Sequence, residues 1–357
     1  MRIIILIFMA FALLGALDTV LGHKLGLGQQ FLNGLDAMGK LCFSMCGIYC
    51  GATAAGQFFA TAMPPDSGFN LPLAAGMLLS TDMGGWAVAK QMAQTPQQAW
   101  FSGALVASTL GCLISFVLPV SLGGLPKQEH AAYLQGVSKG IAPLPLALAA
   151  GGLLCGVPWQ QLLWELVPIT VLCVGLVAVL RFAPDAGLVV LKSFGVLMQL
   201  LGGVLFCLLA AGQFVPQLQV FEQQLFFESL SVVFNITVVV CGALIVSGLM
   251  LRFWGGGIRR MAALLRINEY AAAGLIASLI SSVSMLPMYN QMDSRGRQMN
   301  AAFSVAGAFI LGGQMAFVAD TTPAQALTAF FVCKLLGGVL AVMLVRNSKI
   351  EQISSDC

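Results

Sequence analysis

The chain has 357 residues, of which 59% are hydrophobic and only 9% are charged, and its mean hydropathy is +0.91. Soluble domains carry a charge on about 25% of their residues, so this composition excludes an ordinary soluble protein and indicates a polytopic membrane protein. A formal net charge of +3 is too small and too dispersed to indicate a nucleic-acid partner.

Eleven apolar segments follow one another along the chain, most of them close to the length of about 20 residues that crosses a bilayer as a helix. The first, residues 3–17, is short enough for a signal peptide, but the ten segments behind it favour a first span. These ten are residues 41–63, 69–92, 98–122, 140–157, 162–182, 187–214, 230–253, 270–289, 299–318 and 324–345.

Residues 80–86 interrupt the third segment with the sequence Ser-Thr-Asp-Met-Gly-Gly-Trp. A carboxylate such as that of Asp82 costs roughly 2.5 to 3.5 kcal/mol in a membrane helix, so it usually has a partner or a function there. Gly84 and Gly85 weaken a helix and free backbone groups, which a polar cavity tolerates and lipid does not. The pattern predicts the substrate site of a transporter around Asp82. The alternative is that Asp82 only caps the second half of a broken helix.

The two halves of the chain share a weak repeat. Residues 70–76 (Asn-Leu-Pro-Leu-Ala-Ala-Gly) match residues 268–274 (Asn-Glu-Tyr-Ala-Ala-Ala-Gly) at an offset of 198, and Gln91-Met92 match Gln291-Met292 at an offset of 200. A helix rich in Gly and Ala follows in both halves. Chance matches are common among so few residue types, so the repeat needs independent support.

The distribution of Lys and Arg between the loops supplies that support. If all eleven segments cross, these residues divide nine to seven between the two faces; if segments 69–92 and 270–289 are re-entrant, they divide fourteen to two. The positive-inside rule favours the second topology, with the amino terminus outside and the carboxyl terminus inside. Opposed re-entrant segments at an inverted-repeat interface, with the site near the midplane, are a known carrier architecture.

We therefore predict an all-α polytopic membrane protein with about nine transmembrane helices and two re-entrant or broken segments in an inverted repeat. Ten or eleven full spans are the alternative. The first repeat would occupy residues 1–157, with its re-entrant segment at 69–92, and a connecting span would occupy residues 158–186. The second repeat would occupy residues 187–346, with a broken segment at 268–290, and residues 347–357 would form a cytoplasmic tail.

Lys334 is a second charge inside a predicted span. We place one other ionisable group, Asp82, well inside the apolar segments, so we expect the two side chains to approach each other in at least one state. Lys334 would then occupy the cation subsite while substrate is absent. The alternative is a lysine that reaches toward the interface or lines a wet cavity.

No enzyme class fits this sequence. It has no Walker-type phosphate loop, no histidine placed as a base and no cluster of metal ligands, so we expect no cofactor, no metal and no catalytic residue. Cys42, Cys46 and Cys50 share one helix face, but a small-residue packing stripe explains them better than a metal site, because no His or carboxylate completes a ligand set.

Four stretches, in this order, resemble the EutH family of ethanolamine permeases, which are inner-membrane proteins of bacterial ethanolamine-utilisation systems. They are Thr81-Asp82-Met83-Gly84-Gly85 with Ala89-Lys90, then Ala271-Ala272-Ala273-Gly274, then Gln291-Met292-Asp293-Ser294-Arg295-Gly296, and finally Lys334-Leu335-Leu336-Gly337-Gly338. The resemblance covers nearly the whole chain and implies ethanolamine as the substrate and the bacterial inner membrane as the location.

Two stretches depart from the pattern of that family. Ser281-Ser282 stand where a pair of asparagines is expected, and Leu311-Gly312-Gly313-Gln314 stand where Leu-Gly-Asp-His is typical. If these groups contact the substrate, selectivity in this chain differs from that of the family.

Ethanolamine is mostly a cation near neutral pH, so its site needs a carboxylate or aromatic faces for the ammonium and a neutral group for the hydroxyl. The predicted substrate-binding residues are Ser80, Thr81, Asp82, Gly84, Gly85, Trp86, Ser281, Ser282, Tyr289, Asn290, Gln314 and Lys334. Several have a structural alternative: helix packing for Trp86 and the serines, and a place in an aromatic belt for Tyr289 and Asn290.

The predicted function is uptake of ethanolamine through a midplane site, by facilitated diffusion or by ion-coupled alternating access. The sequence does not choose between these two. A carrier of another small amine or of an amino acid, and a membrane scaffold that transports nothing, are the alternatives. The expected partners are the amine and membrane lipids, without nucleic acid, and a homo-oligomer is left open.

Overall fold

The computed structural model describes residues 2–62 and 70–348, which form helices without any β-strand. The helices are α1 (Arg2–Val20), α2 (Gly28–Leu41), α3 (Gly47–Ala62), α4 (Leu71–Leu78), α5 (Trp86–Met92), α6 (Pro96–Gly124), α7 (His130–Ile141), α8 (Leu144–Cys155), α9 (Trp159–Phe182), α10 (Pro184–Phe214), α11 (Gln223–Phe253), α12 (Gly255–Leu265), α13 (Glu269–Ser278), α14 (Ser294–Ala306), α15 (Gly313–Thr321) and α16 (Ala324–Asn347). A π-helical turn, Cys42–Cys46, joins α2 to α3, and a 3₁₀ helix, Ser282–Gln291, follows α13. The predicted all-α class is confirmed.

Six helices in the described ranges are long and apolar enough to cross a membrane, namely α1, α6, α9, α10, α11 and α16. Residues Lys127–Ile141 and Leu144–Cys155, bent by 41°, make a seventh if the pair counts as one span. The other two predicted spans are not single long helices in the structure. Span 41–63 corresponds to the π-helical turn and the 16-residue α3, and span 299–318 is interrupted between α14 and α15. The protein is thus a multi-pass membrane protein with broken and bent helices, and the predicted number of nine spans is not confirmed.

Helix α6 lies at the centre of the molecule. In its most apolar 18-residue window, 83% of the residues are buried. The same share is 17% for α10 and 22% for α1 and α9, which face outward. Two stretches of α6, Trp100–Gly111 and Leu113–Val117, are π-helical, a geometry that often marks functional sites. Gly111 lets the first hairpin approach, because a Cβ there would lie only 2.2 Å from the carbonyl oxygen of Leu79.

Residues 70–92 form the first hairpin. The side chain of Asn70 caps α4 by accepting the N–H of Leu73 at 3.0 Å, and the chain turns after α4 into α5. Helices α4 and α5 pack against each other, so α5 returns toward the level at which α4 began. Glu165 of α9 marks that level, since its carboxylate accepts a bond of 3.3 Å from Asn70 and lies beside Gln98 at the start of α6.

Residues 268–291 form the second hairpin. The side chain of Asn268 caps α13 by accepting the N–H of Ala271 at 2.9 Å, as its repeat partner Asn70 does for α4. Its Nδ2 atom also donates to the carbonyl of Gln291 at 2.7 Å. Because this bond joins the two ends of the segment, the chain enters and leaves at one level, which is the geometry predicted for a re-entrant segment.

The two hairpins enter from opposite ends of the molecule. Glu129, just before α7, forms an ion pair of 2.7 Å with Arg297 beside the base of the second hairpin. Gly156, just after α8, lies beside the base of the first, where a Cβ on it would be 3.7 Å from the Gln97 side chain. The bent pair α7–α8 therefore runs from one base to the other. This opposed arrangement is the one that an inverted repeat requires.

The boundaries predicted for the two repeats and for the connecting span 158–186 stay predictions, although α9 fills most of that span. Residue 1, the start of segment 69–92 and residues 349–357 of the predicted tail lie outside the described residues.

Candidate functional site

The turn of the first hairpin depends on its glycines. Helix α4 ends at a break formed by Leu79 and Ser80, and the chain bends again at Gly84, whose φ of +97° would strain any residue with a side chain. Gly85 is required for a different reason, because a Cβ there would lie 2.7 Å from the carbonyl oxygen of Leu79. Both predicted glycines thus hold the turn that carries Asp82.

The turn of the second hairpin, residues 279–281, pairs with a third break, residues 307–312, between α14 and α15. The N–H of Phe309 donates to the carbonyl of Ser278 at 3.1 Å, and a second such bond of 2.8 Å follows two residues further along the third break. Backbone groups freed by the two breaks therefore satisfy one another, as a membrane interior requires. This third break corrects the continuous span predicted over residues 299–318.

Asp82 lies where the first hairpin meets α15. Protein surrounds it, yet part of its surface stays accessible, and its carboxylate accepts a hydrogen bond from the Ser80 hydroxyl. Gln314, just after the third break, donates to the same hydroxyl at 3.5 Å, and the N–H of Ser80 donates to the Ser115 hydroxyl at 3.1 Å. The structure thus brings together three predicted residues, Ser80, Asp82 and Gln314, from both halves of the chain.

Two enclosed polar atoms at this site have no hydrogen-bond partner. They are the hydroxyl oxygen of Thr81, which is 1% exposed, and Oε1 of Gln314, which is 2% exposed. Leaving such a group unpaired costs about 1 to 3 kcal/mol, and two of them close to the partly accessible Asp82 carboxylate indicate a place for a ligand or a water molecule.

Cys112 is a site residue that the sequence analysis missed. It lies on α6 close to Ser80 and Gln314, although its spacing in an apolar helix indicates only a small packing residue. Ser115, one turn further along α6, was missed for the same reason, because a serine in a membrane helix is commonly a packing contact. Both residues gain their position from a helix that the sequence does not mark as central.

Lys334 does not occupy the position predicted for it. Its side chain is 1% exposed, and its ammonium donates to the carbonyl oxygens of Ser108, Ala306 and Ala308 at 2.9, 3.3 and 2.8 Å. No ion pair joins it to Asp82 within the described ranges. In this conformation Lys334 therefore bonds backbone and leaves the cation subsite open. The expected approach of the two side chains in another state stays a prediction.

Trp86 packs against α6. It is 4% exposed, and a Cβ built on Gly103 would lie 2.9 Å from its indole ring. This contact is the packing role given as the alternative for Trp86.

Tyr289 and Asn290 lie at the base of the second hairpin rather than at its turn. The ring of Tyr289 is buried edge-to-face on Tyr133 at a centroid distance of 6.0 Å, and the guanidinium of Arg297 lies 5.9 Å from its centre. Asn290 is exposed, and its carbonyl accepts a bond of 3.0 Å from Arg297. These two residues share the environment of the Glu129–Arg297 ion pair.

The two serines of the second turn differ from each other. The Ser281 hydroxyl accepts the N–H of Val283 at 3.4 Å and so caps the 3₁₀ helix. Ser282 is fully buried, and its hydroxyl has no partner. Ser282 therefore has an entirely unused hydroxyl, whereas the Ser281 hydroxyl already accepts one bond.

Two further carboxylates are buried, both close to the ends of predicted spans. Asp18 is 1% exposed and accepts three backbone N–H groups around the start of α2 at 2.6 to 2.8 Å. Glu165 is 4% exposed and accepts from Asn70 and, at 2.8 Å, from Gln161. Both carboxylates lie toward the ends of helices and not at the hairpin turns: Asp18 accepts backbone N–H groups, and Glu165 accepts side-chain amides through Oε1.

A cavity of about 830 Å³ leads from one face of the molecule to this site. Met83 and Ser115, the neighbours of Asp82 and Ser80, line its deep end, and the exposed Lys40 and Lys192 line its mouth. Most of its wall is apolar and is formed by Phe43, Ile48, Phe116, Pro119, Val120, Val196 and Met198. Gly123, at the end of α6 nearest the second hairpin, also lines it, so the cavity opens on the side of that hairpin's base.

Comparison with known proteins gives a family for the whole chain. Residues 1–346 match the family described as Ethanolamine utilisation protein, EutH. The chain is 33% identical to the Probable ethanolamine permease EutH of Listeria monocytogenes serotype 1/2a (strain 10403S), over 96% of this chain and 92% of that protein. Proteins of the same name from Salmonella typhimurium (strain LT2) and Escherichia coli (strain K12) are each 30% identical, over 99% and 96% of this chain and 98% and 93% of their own lengths. No solved structure matches. The chain therefore belongs to the EutH family, the one that the motifs around Asp82 and Lys334 resemble.

Proposed function

We propose that this protein is a permease that carries ethanolamine across the bacterial inner membrane and binds the ammonium group at Asp82. The relatives named as probable ethanolamine permeases support a transporter of this substrate. The observation that carries the proposal is the partly accessible Asp82 carboxylate, bonded to the Ser80 hydroxyl, where the turn of the first hairpin meets α15. Carboxylates retained inside a membrane usually serve a substrate or an ion.

The unpaired atoms around Asp82 suit a primary ammonium with a neighbouring hydroxyl. An ammonium has three N–H donors, and the carboxylate has acceptor positions beyond the one that Ser80 uses. Oε1 of Gln314 is a free acceptor, and the Thr81 hydroxyl can donate or accept. Ethanolamine would pair these groups and remove the cost of leaving them unpaired, about 1 to 3 kcal/mol each.

The same geometry argues against the two alternative substrates. A quaternary ammonium has no N–H donors and is usually held by an aromatic cage, whereas Trp86 packs on Gly103. An amino acid would bring a carboxylate close to Asp82, and the ammonium of Lys334 that could offset it already donates to three carbonyls. We infer that selectivity favours a small primary amine without a carboxylate.

The cavity provides the route on one side. It opens on the side of the second hairpin, where the basic residues are concentrated, and the positive-inside rule assigns that side to the cytoplasm. We interpret the conformation as open to the cytoplasm, with Met83, the neighbour of Asp82, at the deep end of the cavity. Movement of the hairpins relative to α6 would then expose the same carboxylate to the other face, as in other inverted-repeat carriers.

The charge of the substrate is a sufficient driving force. Each positive charge that crosses gains about 2.3 kcal/mol per 100 mV of membrane potential, which corresponds to roughly 40-fold accumulation. Uptake of the ammonium form by facilitated diffusion therefore needs no coupled ion.

Uptake of radiolabelled ethanolamine into proteoliposomes tests the proposal. We expect saturable uptake that unlabelled ethanolamine competes away and that an equal concentration of choline or of serine leaves nearly unchanged. A potential negative inside the vesicle should accelerate it. Uptake no greater than in protein-free liposomes would support the scaffold alternative, and strong competition by serine would support a carrier of amino acids.

A further inference from the structure

We propose that Lys334 is a built-in cation, held in a backbone cage that would otherwise bind a monovalent metal ion, and that transport by this protein consequently needs no sodium ion. The part of this inference that concerns transport rests on the proposed function, whereas the cage itself can be tested without transport.

The bonding of Lys334 is that of a coordinated cation. Its ammonium donates to three carbonyl oxygens at 2.8, 2.9 and 3.3 Å, its side chain is 1% exposed, and the ring of Phe330 lies 5.3 Å away. Three acceptors require three N–H donors, which the protonated amine supplies and the neutral amine does not. The charge is therefore satisfied by backbone dipoles and an aromatic face.

The three carbonyls that accept from Lys334 lie where the helices are irregular. Ser108 belongs to the π-helical part of α6, Ala306 is the last residue of α14, and Ala308 lies in the third break. Unwound carbonyls and the negative ends of half-helices are the groups that coordinate sodium in inverted-repeat carriers. The same donor set is present here, with an ammonium at its centre.

The position of the cage also relates the two halves of the chain. Ser108 and Ala308 are 200 residues apart, the same offset that relates Gln91-Met92 to Gln291-Met292, the matched pair that precedes α6 and α14. Lys334 of α16 thus bonds equivalent carbonyls of both repeats. Carbonyl oxygens only accept hydrogen bonds, so a cation with several donors can bridge the carbonyls of the two halves. Because the ammonium of Lys334 is part of the chain, it cannot leave with the substrate.

Two consequences follow from a tethered cation. The cage cannot exchange its occupant for a metal ion from solution, so a sodium gradient has no site at which to act there. The donors of Lys334 are also engaged by carbonyls, so Asp82 stays available for the ammonium of the substrate.

Chemical rescue tests the cage. Lys334→Ala removes a fragment equivalent to propylammonium and leaves the carbonyls behind, so the purified variant in detergent should melt below the wild type. We expect propylammonium chloride or sodium chloride to raise its Tm saturably, by about 5 °C relative to choline chloride at the same ionic strength. Lys334→Met fills the space without a charge and is the matched control, and it should show no such rise. No difference between choline and the test cations in Lys334→Ala, or an equal rise in Lys334→Met, would overturn the cage.

Replacement of sodium tests whether transport needs this ion. The experiment uses the wild-type protein, so its result does not depend on the folding of any variant. Uptake of labelled ethanolamine by wild-type proteoliposomes should be the same within twofold when choline replaces sodium on both sides. A loss of uptake without sodium would contradict the inference. Absence of uptake in every buffer would instead overturn the proposed function, while the melting experiment still decides on the cage.

Discussion

Asp82 and Lys334 are both charged side chains in the apolar interior, but their surroundings differ. Lys334 is 1% exposed, and its three N–H donors are matched by three carbonyl oxygens. Asp82 remains partly accessible beside a cavity, accepts from the Ser80 hydroxyl, and has the unpaired hydroxyl of Thr81 next to it. A buried charge whose bonding capacity is used stabilises the fold, whereas one with unused capacity is available to a ligand.

The backbone breaks explain both environments. The glycines of the first hairpin allow the tight turn that carries Asp82, and carbonyls at the breaks around α14 are bridged by the ammonium of Lys334. An interrupted helix among the apolar segments thus creates an accessible site in the first half of the chain and a closed one where the two halves meet.

The largest effect on transport is expected from Asp82→Asn, which keeps the shape and removes the charge. Uptake of ethanolamine should fall about 100-fold, because losing one partner of a buried charge pair costs about 2 to 5 kcal/mol. The Tm should change little, since the carboxylate is not part of a satisfied structural network.

Glu165→Gln is the matched control for that experiment. It also neutralises a buried carboxylate, but at the base of the first hairpin, and it keeps an acceptor for Asn70 and Gln161. We expect it to transport within a few fold of the wild type. Equal losses in both variants would mean that any buried carboxylate of this region matters and that Asp82 has no special part in binding.

The largest effect on stability is expected from Lys334→Met. It leaves three carbonyls of the breaks without donors, and removing one member of such a buried charged contact costs about 3 to 5 kcal/mol. Thermal melting in detergent should therefore place its Tm clearly below that of Asp82→Asn. If the two variants have the same Tm, the contrast between Lys334 as a structural charge and Asp82 as a functional charge is wrong.

A smaller effect is expected from Gln314→Ala. This change removes one neutral partner of the substrate and the contact with Ser80, so it should raise the KM of uptake about tenfold and leave the maximal rate within a few fold. Gln325→Ala, which removes an exposed side chain bonded to the Leu154 carbonyl, is the control and should keep both constants. An unchanged KM in Gln314→Ala would remove Gln314 from the substrate site.

The smallest effect is expected from Tyr289→Phe. The hydroxyl of Tyr289 is buried without a partner, and the ring keeps its contacts with Tyr133 and Arg297 after the change. Uptake should stay within twofold of the wild type, with an unchanged KM. A large rise in KM would instead place Tyr289 in the binding site, as the sequence analysis expected.

The hairpins were predictable because their determinants are local. Asn70 and Asn268 are residues that favour the start of a helix, and the two glycines after Asp82 favour a turn that interrupts the helix. The distribution of Lys and Arg then indicated that both segments turn back, and the bond from Asn268 to Gln291 has that geometry.

The rest depended on contacts that no local pattern encodes. The carbonyls around Lys334 come from residues 226, 28 and 26 positions away, and backbone oxygens leave no trace in a sequence. The third break interrupts a segment as apolar as its neighbours, and Cys112 resembles every other buried cysteine. Tyr289 was placed at the site because it ends the second segment, but a re-entrant segment ends at its base, away from its turn.

Binding of ethanolamine to the purified protein tests the central claim most directly. Melting of wild type and Asp82→Asn in detergent is followed as ethanolamine is added, with choline chloride at equal ionic strength as the reference and Glu165→Gln alongside. The account predicts a saturable rise in Tm for the wild type and Glu165→Gln, and none for Asp82→Asn. A rise of the same size in Asp82→Asn would contradict it, because the ammonium would then be held somewhere else.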